Sequence, residues 1–190
     1  TVMITASHLP FNRNGFKFFT AEGGLEKADI KQILEYAESD KETGLNVGDC
    51  TDGTFMDTYA KLLADKIRAA TGEDRPLEGF RIVVDAGNGA GGFYVEKVLQ
   101  PLGADTEGSQ FLEPDGSFPN HIPNPENKDA MASVCKAVKD TKADFGIIFD
   151  TDVDRAGAVD SDGTEINRNR LIALIAAVLL EEQPGTIVTD

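Results

Sequence analysis

Three aspartates alternate with other residues in a short segment that could bind a metal ion. Asp150, Asp152 and Asp154 follow the apolar run 145–149, which has the length and composition of a buried β-strand. Because α/β folds usually bind ligands where strands end, we expect the three carboxylates at such an edge. Hard oxygen ligands suit magnesium or calcium, and a bound cation removes the mutual repulsion of the carboxylates. The adjoining Arg155 also favours a functional loop over a solvated acidic turn.

Two other motifs share these letters. An EF-hand calcium loop would need Gly in place of Arg155 and Glu in place of Ser161, and helices would flank it. The chain fails on each of these points. A haloacid-dehalogenase-type phosphatase would use Asp150 as a nucleophile, but it would carry Thr or Val and then an apolar residue in place of Asp154 and Arg155. That resemblance is partial and stays an alternative.

A second polar loop lies near the start of the chain, between two short extended runs. Ser7 and His8 lie in its first half, and Asn14 and Lys17 follow at its far end. A hydroxyl placed among potential proton carriers and a cation can carry a phosphoryl group. Taken alone, the segment is better explained as a turn with a solvated His. Its interpretation therefore depends on the acidic loop.

The apolar pattern predicts alternating strands and helices, as is typical of an α/β protein with mixed sheets flanked by helices. A Pro-rich loop covers 113–126, and the small, polar, Gly-containing segment 44–53 is the best candidate for a linker. We predict strands at 2–5, 16–20, 81–84, 145–149, 156–159, 164–166 and 186–189, helices covering 30–37, 59–70, 93–102, 131–138 and 169–182, and a βαβ unit from 81 to an extended stretch near Gln110.

The glycines between 87 and 92 satisfy the pattern G-x-G-x-x-G between a predicted strand and a predicted helix. This pattern is typical of dinucleotide-binding modules, in which a later acidic residue binds the ribose. Asp105 lies slightly short of that position, and the strand that follows is weakly apolar. We therefore interpret the glycines as a tight strand-to-helix turn and expect no nicotinamide cofactor, with the dinucleotide module as an alternative.

The charge of the chain narrows the class of partner. With 33 acidic and 18 basic residues among 190, the formal net charge is -15, which repels nucleic acid and anionic lipid. We expect no nucleic-acid or membrane partner, and the longest apolar stretch is too short to span a bilayer. Two cysteines without a disulfide pattern favour a reducing, cytoplasmic compartment. The chain starts in mid-strand at Thr1, so we expect that its natural N-terminus is missing, and organellar targeting stays open.

The two loops together resemble those of the α-D-phosphohexomutase family. Its members phosphorylate one Ser in a TASHNP-like loop and bind magnesium with a DGDxDR-like loop, which compare with TASHLP at 5–10 and DTDVDR at 150–155. The segment 81–89 and the Pro-rich run 114–125 also look like the second domain of that family. The Pro-rich run is more similar to the phosphomannomutase/phosphoglucomutase branch than to the phosphoglucosamine branch.

The resemblance implies a domain organisation. Residues 1–48 would be the end of a first domain, 49–167 a complete second domain, and 168–190 the start of a third. The sugar-recognition loop of the family's third domain and the phosphate-binding loop of its fourth are not in this sequence. We therefore expect catalytic machinery with little or no turnover by the chain alone. The oligomeric state is not predicted.

The resemblance also implies an activity. Phosphorylated Ser7 would give its phosphoryl group to a hexose 1- or 6-phosphate, of glucose or mannose, and take back the other group from a bisphosphate intermediate. One Mg²⁺ would be held by Ser7, Asp150, Asp152 and Asp154. The remaining implied site residues are His8 and Lys17 for proton handling and transition-state charge, Arg155 as a catalytic residue that orients phosphate or sugar, and Asn14 as a second substrate-binding residue.

The sequence departs from the family pattern at two positions. Leu9 stands where the family has Asn, and Thr151 stands where it has Gly. Asn would form hydrogen bonds within its loop, and Gly would allow a backbone conformation that a β-branched residue adopts at a cost. Both loops are therefore expected to differ in shape. A non-catalytic relative that binds sugar phosphates or a protein partner is the alternative that these two positions support.

Overall fold

The structure, a computed structural model, describes residues 1–5, 10–39, 48–51 and 53–189. These residues form two compact units, Thr1–Met56 and Asp57–Asp190, which are described separately. Ser7, His8 and Leu9 lie outside the described residues, as does half of the segment predicted to be a linker. The domain boundaries predicted after residues 48 and 167 stay predictions.

The first unit contains a small antiparallel sheet and one helix. Strand β1 (Val2–Ile4) pairs with β2 (Phe16–Thr20), and β2 pairs with β3 (Gly23–Gly24). Helix α1 (Lys27–Glu38) begins where the Asp29 side chain accepts a hydrogen bond from the backbone of Glu26. Both strands and the helix predicted here from the apolar pattern are confirmed.

The second unit is built around a mixed sheet in the order β4-β5-β6. Strand β4 (Ile82–Asp85) is parallel to β5 (Phe145–Phe149), which is antiparallel to β6 (Ala156–Asp160). No residue of the central strand β5 is exposed, which agrees with the prediction from its apolar run. The predicted α/β class with mixed sheets flanked by helices is confirmed.

The second strand of the predicted βαβ unit, at the outer edge of β4, is reduced to isolated bridges. Two isolated parallel bridges, Arg81 with Asp105 and Asp85 with Gln110, replace a continuous strand. Between them Gly108 has a φ of +94° and the Ser109 hydroxyl accepts a hydrogen bond from the Val84 backbone at 3.0 Å. The Ser109 hydroxyl thus accepts the hydrogen bond that the backbone carbonyl of a paired strand would accept.

Helix α2 (Phe55–Thr71), α3 (Lys128–Thr141) and α4 (Arg168–Glu182) confirm three predicted helices. The helix predicted at 93–102 is instead centred on a π-helix, Val95–Leu99, in which the Gln100 backbone donates to the Val95 carbonyl at 3.0 Å. Pro101 has no N–H group, so it cannot continue an α-helical ladder. The strand predicted at 186–189 is not formed, because no strand pairs with it among the described residues.

The core of the second unit lies on both faces of the sheet. Helix α3 packs on one face, and its buried residues include Val134 and Val138. The π-helix packs on the other face against Phe149 at the end of β5. Helix α2 covers the outer side of the π-helix through Ala60 and Ala64. In the part of the chain that the structure describes, no helix is long and apolar enough to cross a membrane.

Candidate metal centre

The three aspartates come together in the loop between β5 and β6. Each of Asp150, Asp152 and Asp154 offers one carboxylate oxygen, and these oxygens lie within 4.8 Å of one another. Asp150 is buried, Asp152 is partly buried and Asp154 is exposed, so the cluster runs from the sheet edge to the surface. Because the last β5–β6 pair joins Phe149 to Ala156, the three aspartates all belong to one hairpin loop.

The base of this loop is closed by its own first and last residues. The Asp150 backbone donates to the Arg155 carbonyl at 3.2 Å, and the Arg155 backbone donates to Asp150 Oδ1 at 3.0 Å. The guanidinium Nε of Arg155 also lies 3.1 Å from Asp150 Oδ2. The charge of the buried carboxylate is therefore balanced by an arginine from the same loop.

One donor of Arg155 remains available. Its Nη2 atom is buried and has no hydrogen-bond partner among the described residues. Its Nη1 atom lies 3.5 Å from the Asn124 side-chain oxygen, which is a weak contact. A buried N–H group without a partner is costly, and a forked guanidinium suits a phosphate or carboxylate acceptor. The predicted role of Arg155 as an anion-binding residue is compatible with this geometry and stays a prediction.

The strained backbone of the loop is at Val153 rather than at Thr151. Val153 has a φ of +63°, in the left-handed region that β-branched residues rarely adopt, whereas Thr151 does not lie in that region. The Val153 side chain packs against the cluster that contains Phe149, which holds the loop to the core. Thr151 in place of the family's Gly therefore creates no left-handed strain here.

The Gly-rich turn 87–92 packs directly on this loop. The Ala90 backbone donates to the Thr151 carbonyl at 2.9 Å, and a Cβ atom added to Gly89 would lie 2.8 Å from the same oxygen. Added to Gly91 it would lie 2.7 Å from the Phe149 ring, and added to Gly92 it would lie 1.9 Å from the Leu112 carbonyl oxygen. Close packing thus explains three of these glycines without a ligand.

Asp105, the acidic residue that the dinucleotide-binding alternative would need, is already hydrogen-bonded within the fold. Asp105 Oδ2 lies 2.6 Å from the Arg81 guanidinium, and Asp105 Oδ1 accepts from the Glu107 backbone at 3.0 Å. Both hydrogen bonds lower the pKa of Asp105, and the one from the Glu107 backbone has the larger effect. The interpretation of the Gly-rich run as a structural turn is therefore favoured over the dinucleotide-binding alternative.

A buried Asp–His pair near the loop was not singled out as functional from the sequence. His121 Nε2 lies 3.0 Å from Asp85 Oδ1, and the two side chains are 6% and 0% exposed. The hydrogen bond with Asp85 raises the pKa of His121, against the opposing effect of burial. The signal for this pair in the sequence was an acidic residue at the end of an apolar strand and a His in the distant Pro-rich run.

The predicted phosphoserine loop is only partly described. Ser7 and His8 lie outside the described residues, and their roles stay predictions. Asn14 and Lys17 are exposed, and Lys17 pairs with Met3 in the sheet. The ends of the loop are held together, because the Thr5 backbone donates to the Gly15 carbonyl at 3.0 Å.

Comparison with known proteins places the two units in one family. Residues 57–163 match the sequence model of "Phosphoglucomutase/phosphomannomutase, alpha/beta/alpha domain II", and residues 1–44 match that of domain I. A phosphomannomutase/phosphoglucomutase of Pseudomonas syringae pv. tomato is 36% identical over 184 residues, which are 97% of this chain and 38% of that protein. A phosphoglucomutase of Neisseria gonorrhoeae is 34% identical over 98% of this chain and 39% of its own length.

A solved structure gives the same result. The crystal structure of a phosphoglucomutase/phosphomannomutase family protein from Burkholderia thailandensis matches with a TM-score of 0.76 at 30% identity. The match covers 97% of this chain and 38% of that one. This chain thus spans about two fifths of the length of the curated relatives that it matches. The resemblance inferred from its two loops is confirmed, and the chain belongs to the phosphoglucomutase/phosphomannomutase family.

Proposed function

We propose that this chain carries the phosphoryl-transfer machinery of a phosphohexomutase that interconverts hexose 1-phosphate and hexose 6-phosphate. The observation that carries the proposal is the convergence of three carboxylates beside Arg155 in one loop, in a chain of this family. The names of the relatives refer to glucose and mannose, which are therefore the first sugars to test. Because the chain spans about two fifths of those proteins, we also propose that turnover requires the remaining length.

The donor set fits a magnesium ion. Three carboxylate oxygens are hard ligands, and their separations of up to 4.8 Å allow a common ion between them. Asp150 is fixed by the Arg155 backbone and guanidinium, while Asp154 is exposed and can adjust. Bound there, Mg²⁺ would neutralise charge on a phosphoryl group as it transfers. A fourth ligand from the phosphoryl group of Ser7 belongs to the same proposal.

The transferred group is assigned to the hydroxyl of Ser7. In the first half-reaction the phosphoserine P–O bond breaks as a free sugar hydroxyl attacks phosphorus, which regenerates the Ser7 hydroxyl and forms a hexose bisphosphate. In the second, the Ser7 oxygen attacks the other phosphorus atom and the bond from that phosphorus to the sugar oxygen breaks, which restores phosphoserine and releases the isomeric hexose monophosphate. His8 is the candidate to exchange the hydroxyl protons, and Lys17 is the candidate to balance transition-state charge. Asn14 and the free Nη2 donor of Arg155 would orient the substrate.

Metal binding is tested by calorimetric titration of the chain with MgCl₂. We expect Asp152→Asn to weaken binding by at least about tenfold, because it removes one charged ligand. Asp140→Asn makes the same chemical change in an exposed ion pair of α3 and should leave the affinity unchanged. At one hundred times the dissociation constant, the ion should raise the free energy of unfolding by about 2.7 kcal/mol. Equal affinities of the two variants would contradict the assigned ligands.

The phosphoryl carrier is tested separately. After incubation with glucose 1,6-bisphosphate, mass spectrometry should find phosphate on Ser7 and none in Ser7→Ala. In a protein that includes the remaining length found in the relatives, Ser7→Ala should abolish mutase turnover without unfolding, because no other covalent route remains. Phosphate on another residue, or turnover of Ser7→Ala at the unmutated rate, would refute the assignment.

A further inference from the structure

The Asp85–His121 pair is a hydrogen-bonded acid–base pair in the interior of the second unit. His121 Nε2 lies 3.0 and 3.1 Å from the two carboxylate oxygens of Asp85, and His121 Nδ1 lies 3.0 Å from the Ile122 carbonyl oxygen. Both ring nitrogens therefore face acceptors, but a neutral imidazole has only one N–H group. The protonated ring donates at both nitrogens at once, and the Asp85 hydrogen bond favours that form.

The pair joins the Gly-rich turn to the Pro-rich loop. Asp85 Oδ1 accepts from the Gly87 backbone at 2.9 Å, and Asp85 Oδ2 accepts from the Gln110 side chain at 2.7 Å. Gly87 has a φ of +54°, and a Cβ atom there would lie 3.1 Å from the His121 ring and 2.9 Å from Pro123. The two segments are therefore in close contact where the pair lies.

Each of these two segments also contacts one end of the metal loop. On the side of the Gly-rich turn, the Ala90 backbone donates to the Thr151 carbonyl at 2.9 Å. On the side of the Pro-rich loop, Asn124 follows His121 by three residues and lies 3.5 Å from Arg155 Nη1. The pair is thus one link between the neighbours of both ends of the loop, beside the hydrogen bond of 2.7 Å from the Asn120 side chain to Asn88.

We propose that Asp85 and His121 form a positioning pair that holds the Gly-rich turn and the Pro-rich loop against the two ends of the metal loop. The functional meaning of this role rests on the proposed function, because it assumes that the loop binds magnesium. Loss of the second ring proton, or of either partner, removes this hydrogen bond from a buried site and weakens the contact between the two segments. The contacts that hold Thr151 and Arg155 of the metal loop in place are then weakened.

Asp85 is the acidic side chain that is hydrogen-bonded to the ring. The ring packs edge-on against Phe111, with centroids 5.4 Å apart, its Nδ1 atom faces the Ile122 carbonyl oxygen, and a Cβ atom added to Gly87 would lie 3.1 Å from the ring. Asp85 in turn faces the neutral side chain of Gln110, which also donates to Ser133. A change of protonation here is therefore a change in this pair.

The test is native-state hydrogen exchange of the chain without metal, resolved by residue with NMR. The reporters are the amides of Ala90 and Arg155, which are bonded to Thr151 and Asp150, and amides of α3 are the reference. The variants are His121→Gln, Asp85→Asn and the double variant. The control for general destabilisation is Leu102→Ala, because Leu102 is fully buried where α2 packs on the π-helix.

We expect His121→Gln to lower the protection of both reporters by about tenfold relative to α3, because the buried Asp85 carboxyl loses its cationic partner. The double variant, which leaves no unpaired charge, should regain part of that loss. In the unmutated chain the relative protection should fall as pH rises through the folded-state pKa of His121, which the Asp85 hydrogen bond raises, and this step should be missing in His121→Gln. Unchanged reporters, or an equal relative loss in Leu102→Ala, would overturn the proposal.

The same proteins are then titrated with MgCl₂. We expect His121→Gln to bind more weakly than the unmutated chain by a factor similar to the loss of protection. If the unmutated chain binds magnesium and His121→Gln binds it equally well, the positioning role is wrong and the proposed function stands. If no magnesium binds but the exchange pattern is as expected, the positioning of the loop stands and the metal assignment fails.

Discussion

Replacement of Gly92 by Ala tests whether the Gly-rich turn is dictated by packing. A Cβ atom at this position would lie 1.9 Å from the Leu112 carbonyl oxygen, 2.8 Å from its carbon and 3.1 Å from the Leu112 Cα, whereas ordinary contact begins at 3.4 Å. All three atoms belong to the backbone, so no side-chain rotation can relieve the overlap. Residues 110–112 must move away from the turn.

The size of the effect follows from what that movement disrupts. The Asn88 backbone donates to the Phe111 carbonyl at 2.8 Å, and the Ala86 backbone donates to the Gln110 carbonyl at 3.2 Å. Each such bond contributes about 1 kcal/mol, and overpacking alone costs roughly 1–3 kcal/mol. We expect a loss of about 3 kcal/mol. In a chain of this size, a loss of about 3 kcal/mol in the free energy of unfolding lowers the melting temperature of the second unit by roughly 6–12 °C.

The assay is thermal and urea unfolding followed by circular dichroism, with Gly116→Ala as the matched control. Gly116 is an exposed loop glycine, and a Cβ atom there would meet no atom within 4 Å. Its replacement should change the free energy of unfolding by less than about 0.5 kcal/mol. If Gly92→Ala were as stable as Gly116→Ala, the contact with Leu112 would not explain the glycine, and a ligand-binding role for the turn would regain support.

Two further predictions concern His121 and Val153. Asp85 raises the pKa of His121 above its ordinary value of about 6.5, so the pair's contribution is fully present below the unfolded-state pKa and is lost as pH rises through the folded-state pKa. The free energy of unfolding should therefore fall with rising pH more steeply in the unmutated chain than in His121→Gln, and parallel curves from urea unfolding would contradict this. Val153→Gly should remain within about 1 kcal/mol of the unmutated chain, because relief of roughly 1–2 kcal/mol of left-handed strain offsets the lost packing. A loss above about 2 kcal/mol in the same assay would show that packing of the side chain dominates.

Local patterns in the sequence predicted the elements whose partners lie nearby. The run 145–149 and the three aspartates after it are adjacent in the chain, so the strand, the loop and their order follow from the sequence alone. The helix predicted at 93–102 changed type because Pro101 cannot donate a hydrogen bond, a local signal that apolar periodicity does not contain. The run 186–189 has strand composition, but composition does not supply a partner strand.

The contacts that support the candidate site could not be predicted in this way. The pair of Asp85 and His121 joins residues 36 positions apart, and the types of these residues alone do not show that the two side chains meet. The position of backbone strain was also not readable, since Thr151 and Val153 are both β-branched and only the folded loop shows which adopts a positive φ. The Gly-rich run satisfied a known pattern, and only its neighbours Phe149, Thr151 and Leu112 show why each glycine is there.

The origin of all three clustered aspartates in one hairpin loop has a consequence for the order of folding. Closing this loop brings together residues no more than a few positions apart, and the loss of chain entropy is small. Pairing β4 with β5 joins residues such as Ile82 and Phe145 across a long crossover, and such contacts form more slowly. The carboxylates can therefore gather at an early stage, whereas the Asp85–His121 link that supports their loop forms only when the parallel part of the sheet is complete.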